Sequence, residues 1–157
     1  MRYVFMLMLM VCPSLLAAER FEHTVTVSLQ LPDPDFQVST PESDPWLNQT
    51  QQMQWDSYQQ LLLPIHKQLS IQSRLGGVSA RLLAPALLSY GSEQIPLQVQ
   101  LDRTLLTTSS QVILNAHQAN MGQQLDMIIM AMPDPSGRYR AGTYQGVVNL
   151  LFETSPP

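Results

Sequence analysis

The sequence has little that could cross-link it and little charge. Among its 157 residues there is one cysteine, and Asp, Glu, Lys and Arg together make up 13%. A lone cysteine excludes an intramolecular disulfide, so a secreted form must be held together by core burial or by a partner. Eight Lys and Arg against twelve Asp and Glu give a net charge of −4, which removes the electrostatic footing a nucleic-acid partner needs. Ordinary domains carry about 25% charged residues. Here uncharged polar side chains take that place, with 18 Gln, 14 Ser, 9 Thr and 4 Asn. Twelve prolines argue against a long helical bundle.

The chemical inventory is equally sparse. His23, His66 and His117 are scattered, without another histidine or a carboxylate at ligand spacing. Asp33, Asp35 and Asp134 alternate with prolines, which is ordinary turn composition and too few oxygens for a calcium loop. There is no Gly-x-Ser-x-Gly elbow, no phosphate-cradling glycine loop and no base near Thr107-Thr108 or Ser109-Ser110. Asn48-Gln49-Thr50 matches a glycosylation acceptor triplet, a pattern common by chance. The expectation is a non-enzymatic protein without cofactor, metal or small-molecule substrate.

The N-terminus reads as an address. Arg2 precedes an apolar stretch from Tyr3 to Cys12, followed by Pro13, Ser14 and the small pair Ala17-Ala18. That order predicts a secretory signal peptide over residues 1–18, too short to span a bilayer. Cys12 as a lipid anchor is disfavoured by the bulky Val11 before it. Removing eighteen residues leaves 139, with no cysteine and a charge of −5.

Period-two alternation follows almost at once. Phe21, His23, Val25, Val27, Leu29 and Leu31 alternate with Glu22, Thr24, Thr26, Ser28 and Gln30, and the pattern stops at Pro32-Asp33-Pro34. This is a half-buried strand ended by residues that lack backbone donors. Further strands are predicted over 36–40, 69–75, 78–83, 95–101, 111–115 and 125–132, and from Gly142 onward. The stretch 125–132 is apolar enough to be central, and Gly76-Gly77 predicts a tight hairpin between its flanking strands. About nine short strands with regular turn signals describe an all-β sandwich in one domain.

Two segments together resemble a known family. Ala141-Gly142-Thr143-Tyr144-Gln145-Gly146-Val147-Val148-Asn149-Leu150 resembles the closing strand of chaperone–usher fimbrial subunits. The alternating N-terminal strand ending in Asp33-Pro34, behind a signal peptide, resembles the subunits of colonization-factor-antigen fimbriae, the class 5 or alpha-type fimbriae of enteric bacteria. Met53-Gln54-Trp55-Asp56, Gly76-Gly77 and the stretch 95–101 leading into Leu106-Thr107-Thr108 fall in the expected order between them.

The resemblance implies an incomplete immunoglobulin-like sandwich, lacking its last strand and completed by a donor strand from a neighbouring subunit. It implies residues 19–33 as that donor strand and 34–157 as the pilin domain. Phe21, Val25, Val27, Leu29 and Leu31 become the donor plugs. Tyr144, Gly146, Val148 and Leu150 become the wall of the acceptor groove and the chaperone contact. The implied partners are copies of the chain itself in a head-to-tail polymer, a periplasmic chaperone, an outer-membrane usher and a tip adhesin, and the implied destination is the cell surface by way of the periplasm. The competing expectation is a soluble periplasmic sandwich that binds a ligand or protein and keeps its first strand in its own sheet.

Overall fold

The computed structural model describes residues 34–134 and 138–155. The signal peptide and the alternating strand over 21–31 lie outside the described residues. Within them the chain is nearly all strand: β1 (Phe36–Ser39), β2 (Trp55–Asp56), β3 (Leu61–Leu62), β4 (Ile65–Ser73), β5 (Gly77–Leu82), β6 (Leu87–Tyr90), β7 (Glu93–Leu101), β8 (Thr104–Leu106), β9 (Gln111–Leu114), β10 (Gln123–Ala131) and β11 (Leu150–Ser155), with one short helix, α1 (Ala116–Met121), between β9 and β10.

These strands form two layers. The larger sheet runs β1-β4-β10-β7-β6, with β8 also paired to β7, and the smaller runs β11-β5-β9. β2 and β3 make a separate small hairpin. The apolar run in β10 does lie centrally, with Met127 opposite Lys67 on one side and Leu101 on the other. Alternation sets the core: Leu69 and Ile71 from β4 and Val99 and Leu101 from β7 meet Val78 and Ala80 from β5, all essentially inaccessible to solvent. The architecture is the all-β sandwich that the alternation implies.

The Gly76-Gly77 turn is not a hairpin. β4 pairs with β1 and β10, whereas β5 pairs with β9 and β11 in the other sheet. The chain arches between layers, through Gly76 at φ 138°, a backbone conformation costly for a side chain. Buried Ser73 closes the arch by accepting a hydrogen bond from the Leu75 N–H at 3.2 Å. Both strands carry an apolar face, and an arch lets the two faces bury each other. A hairpin would set them side by side in one layer.

Helix α1 is the second departure from the sequence reading. Asn115 accepts from the Gln118 N–H at 2.9 Å and the Gln118 side chain accepts from the Asn115 N–H at 3.0 Å, a reciprocal capping box. Ala119 faces the core, fully buried.

β1 ends at Ser39 while its neighbour β4 continues back to Ile65, so part of the β4 edge has no strand beside it. The loop after β1 covers it. Trp46 inserts into the core and its Nε1–H donates to the Gln68 carbonyl at 2.9 Å, while Lys67 pairs with Asp44 at 2.8 Å. Trp46→Phe keeps most of the buried ring but orphans the Gln68 carbonyl, at an expected cost of about 1–3 kcal/mol. Urea unfolding of the variant beside the parent measures it, with an unchanged m-value marking a pure stability effect.

Candidate functional site

The flank carrying β1 and β11 is where this sandwich is unfinished. β8 leads directly into β9, and the Leu82 N–H donates to the Thr107 carbonyl at 2.7 Å, so the β9 side of the small sheet sits by the β7–β8 side of the large one. The remaining edges, β1 and β11, therefore share the opposite flank. Among the described residues β1 has only β4 as a neighbour and β11 only β5. An edge strand points half of its N–H and C=O groups outward, ready to pair with another strand.

The side chains on this flank point the same way. Phe36 and Val38 from β1, and Val148, Leu150 and Phe152 from β11 and its approach, pack against the core yet stay only partly buried. Their counterparts on the inner strands are fully buried.

The approach to β11 differs from the strand expected from Gly142 onward. Regular pairing begins only at Leu150, opposite Leu82. Before it, the chain lies on β6, where Gln145 and Ser89 exchange both backbone hydrogen bonds at 2.8 and 3.1 Å, then crosses to the small sheet as the Asn149 carbonyl accepts from the Leu83 N–H at 3.0 Å. The two glycines explain the path. A Cβ on Gly146 would lie 2.1 Å from the Leu87 carbonyl oxygen, and one on Gly142 would lie 2.3 Å from the Tyr90 ring. Only a bare backbone comes so close.

The four acceptor residues read from the sequence thus fall into two pairs. Val148 and Leu150 are half-buried against the core at β11 and its approach. Gly146 and Tyr144 anchor the approach on β6, with the Tyr144 ring against Tyr90 at 5.7 Å and its hydroxyl donating to the Arg140 carbonyl at 3.0 Å. Phe152, Phe36 and Val38 join the first pair on the flank. The alternation of both strands was visible in the sequence, but not that their edges share a side. The donor plugs Phe21, Val25, Val27, Leu29 and Leu31 lie outside the described residues.

At the end of the sandwich where β11 starts, Trp55 packs edge-on against Tyr139 at 6.0 Å. The Tyr139 hydroxyl donates to the Met132 carbonyl at 2.8 Å. Burial, and secondarily the Asp134 carboxylate, hold that phenol above its usual 10.0. A cleft of about 370 Å³ opens between Trp55, Tyr139 and Tyr144, floored by Ile95. Among the described residues no group of His, Cys, Asp or Glu has metal-binding spacing. The β1/β11 flank offers two edge strands and half-buried apolar side chains.

The family model described as CS1 type fimbrial major subunit matches residues 21–153. A solved structure described as the CooA pilin subunit from enterotoxigenic Escherichia coli superposes with a TM-score of 0.57 at 18% identity, covering 74% of this chain and 86% of that one. At that identity the likeness is one of fold. No curated protein matches.

Proposed function

This chain belongs to the CS1 type fimbrial major subunit family, and from that premise we propose that it polymerises by strand donation, the alternating strand over 21–31 of one copy filling the β1/β11 flank of the next. As a fimbrial structural subunit it builds a surface fibre, and the reading of a soluble ligand-binding module falls away. The observation that carries the strand-donation reading is the half-buried row Phe36, Val38, Val148, Leu150 and Phe152 beside two edges that lack an outer neighbour among the described residues.

The chemistry of the donor matches that flank. Val25, Val27, Leu29 and Leu31 share one face at the period of a strand. Burying four or five such side chains yields on the order of 10 kcal/mol at roughly 1.5–3 kcal/mol each, before the cost of ordering the segment. Edge hydrogen bonds supply the register. A strand given by one copy and received by another is a heterologous contact that never closes, and repetition makes a filament.

An open apolar flank is also an aggregation hazard before assembly. The reading therefore includes a periplasmic chaperone that covers β11 during transit, an outer-membrane usher where the exchange occurs, and a tip adhesin that begins the fibre. Residues 1–18 serve as the export signal, 19–33 as the donor strand and 34–157 as the pilin domain.

The test is chaperone dependence. Expressed with its chaperone, the subunit should accumulate as a soluble one-to-one complex; without it, the periplasmic yield should drop at least tenfold through aggregation and proteolysis. Equal yields of stable, soluble monomer in both cases would sink the strand-donation reading.

A further inference from the structure

Among the exposed large apolar residues, which also include Leu61, Leu83, Leu105 and Val112, several lie at the two ends of the sandwich. One end is where β4 begins, β10 finishes and β6 turns into β7; Trp55, Tyr58, Tyr90 and Val147 are exposed there, Tyr58 at 96% and Val147 at 74%. The other is where β4 arches into β5 beside α1, and it exposes Leu75 and Met121, Met121 at 69%.

Strand direction decides which ends meet. β11 starts at the aromatic end and runs toward the arch end, since Leu150 lies opposite Leu82 and Ser155 opposite Gly77. A donor strand added antiparallel to β11, the sense of every paired strand here, finishes at the aromatic end of its acceptor. The donor's own β1 begins at its arch end, where Phe36 lies opposite Ser73 and the Arg74 N–H donates to the Asp35 carbonyl at 2.8 Å. Head-to-tail addition therefore turns the aromatic end of one copy toward the arch end of the next.

The tether between them is short. Only residues 32–35 separate Leu31, the last donor plug, from Phe36, and two of them are prolines. Five Cα steps at about 3.3–3.6 Å each reach roughly 17 Å at most, and so short a length of chain does not by itself fix the angle between the two bodies that it joins. Two bodies held that closely cannot leave a wide water layer between their ends.

Resting on the strand-donation reading, we infer that consecutive copies make a second contact, in which the aromatic end of one subunit (Trp55, Tyr58, Tyr90 and Val147) packs against the arch end (Leu75 and Met121) of the copy that donates its strand. The donor strand supplies the linkage; the end-to-end contact removes the hinge at the tether and so sets the stiffness of the fibre.

The experiment assembles fibres from the full chain with its chaperone and usher, and measures persistence length by electron microscopy. Tyr58→Ser with Val147→Ser alters the aromatic end, Leu75→Ser with Met121→Gln alters the arch end, and Val112→Ser, exposed on β9 away from both, is the control. All should polymerise. Either end variant should shorten the persistence length at least twofold, and the two combined should do no more than one alone, because both remove the same contact. The control should keep the parent value. Tyr58→Ser alone, at the most exposed position, should show the effect without any risk to folding.

Fibres of parental stiffness from either end variant overturn the contact, as does a combined variant whose loss is the product of the two. Donor-strand variants fail or succeed independently of this. Normal fibres from a subunit with a ruined donor strand sink the underlying reading, whereas no fibres from that subunit together with stiff fibres from the end variants sink the second contact alone.

Discussion

A Val27→Asp subunit is expected to fold, to be secreted and to form a complex with its chaperone, yet to yield no fibres. Val27 sits in the middle of the plug row 25, 27, 29 and 31, so the donor strand cannot shift to spare it: a slip of one residue turns every plug outward. Losing the valine forgoes about 1.5–3 kcal/mol of burial, and placing a carboxylate in an apolar socket adds several kcal/mol or forces it to take up a proton. At 1.4 kcal/mol per tenfold, the affinity between copies falls by a factor of roughly a thousand or more. On the strand-donation reading the chaperone covers β11 rather than residues 21–31, so that complex should survive. Thr26→Asp supplies the contrast, since on the strand-donation reading the neighbouring position would point away from the acceptor and the variant should retain fibres. The measurement is the ladder of subunit multimers on a gel run without boiling. Multimers from Val27→Asp matching the parent would remove residues 21–31 from the donor role.

The two halves of that prediction were unequally legible in the sequence. The proposed donor side is a pattern of one strand, which alternation suggests directly and which lies outside the described residues. The acceptor side is a relation among strands, which alternation does not write. The inward residues of β4 and β5 follow the same period-two rule whether Gly76-Gly77 makes a hairpin or an arch, and only the need of each apolar face for an opposing layer selects the arch. The same holds for Trp46, whose position in a polar loop says nothing about the length of β4 edge that β1 leaves bare. Helix α1 did leave a local trace, since Asn115 and Gln118 stand at capping-box spacing and Gly122 follows the last helical residue. Strand propensity in the flanking segments obscured it. The family motif of glycines and tyrosine was visible as letters, but its physical reason lies in β6, more than fifty residues earlier in the chain.

That reason makes Gly146 the most sensitive position in the approach to the acceptor edge. An alanine Cβ there would stand 2.1 Å from the Leu87 carbonyl oxygen and 3.0 Å from its carbon. Both are backbone atoms of β6, which is itself held in register with β7, so neither can yield cheaply. The approach segment must move instead. Moving it breaks the paired hydrogen bonds between Gln145 and Ser89 and draws the Asn149 carbonyl from the Leu83 N–H, and these contacts aim β11 along β5. Gly146→Ala is therefore expected to cost about 3 kcal/mol, the upper part of the range for overpacking, and to lower the melting temperature of the subunit, measured in its chaperone complex, by roughly 10 °C. Gly146→Val, with a branched side chain in the same space, should abolish secretion of folded subunit. Gly142→Ala is the discriminating control. Its clash at 2.3 Å is with the ring of the half-exposed Tyr90, a side chain rather than the backbone of β6, so its cost should stay below that at 146. Thermal unfolding of the three variants decides between a requirement for bare backbone at the crossing and a general dislike of bulk in this segment. Equal losses at 142 and 146 would favour the latter. A loss confined to 146 would also appear in assembly, because a displaced β11 presents Val148 and Leu150 out of step with the plugs that must meet them.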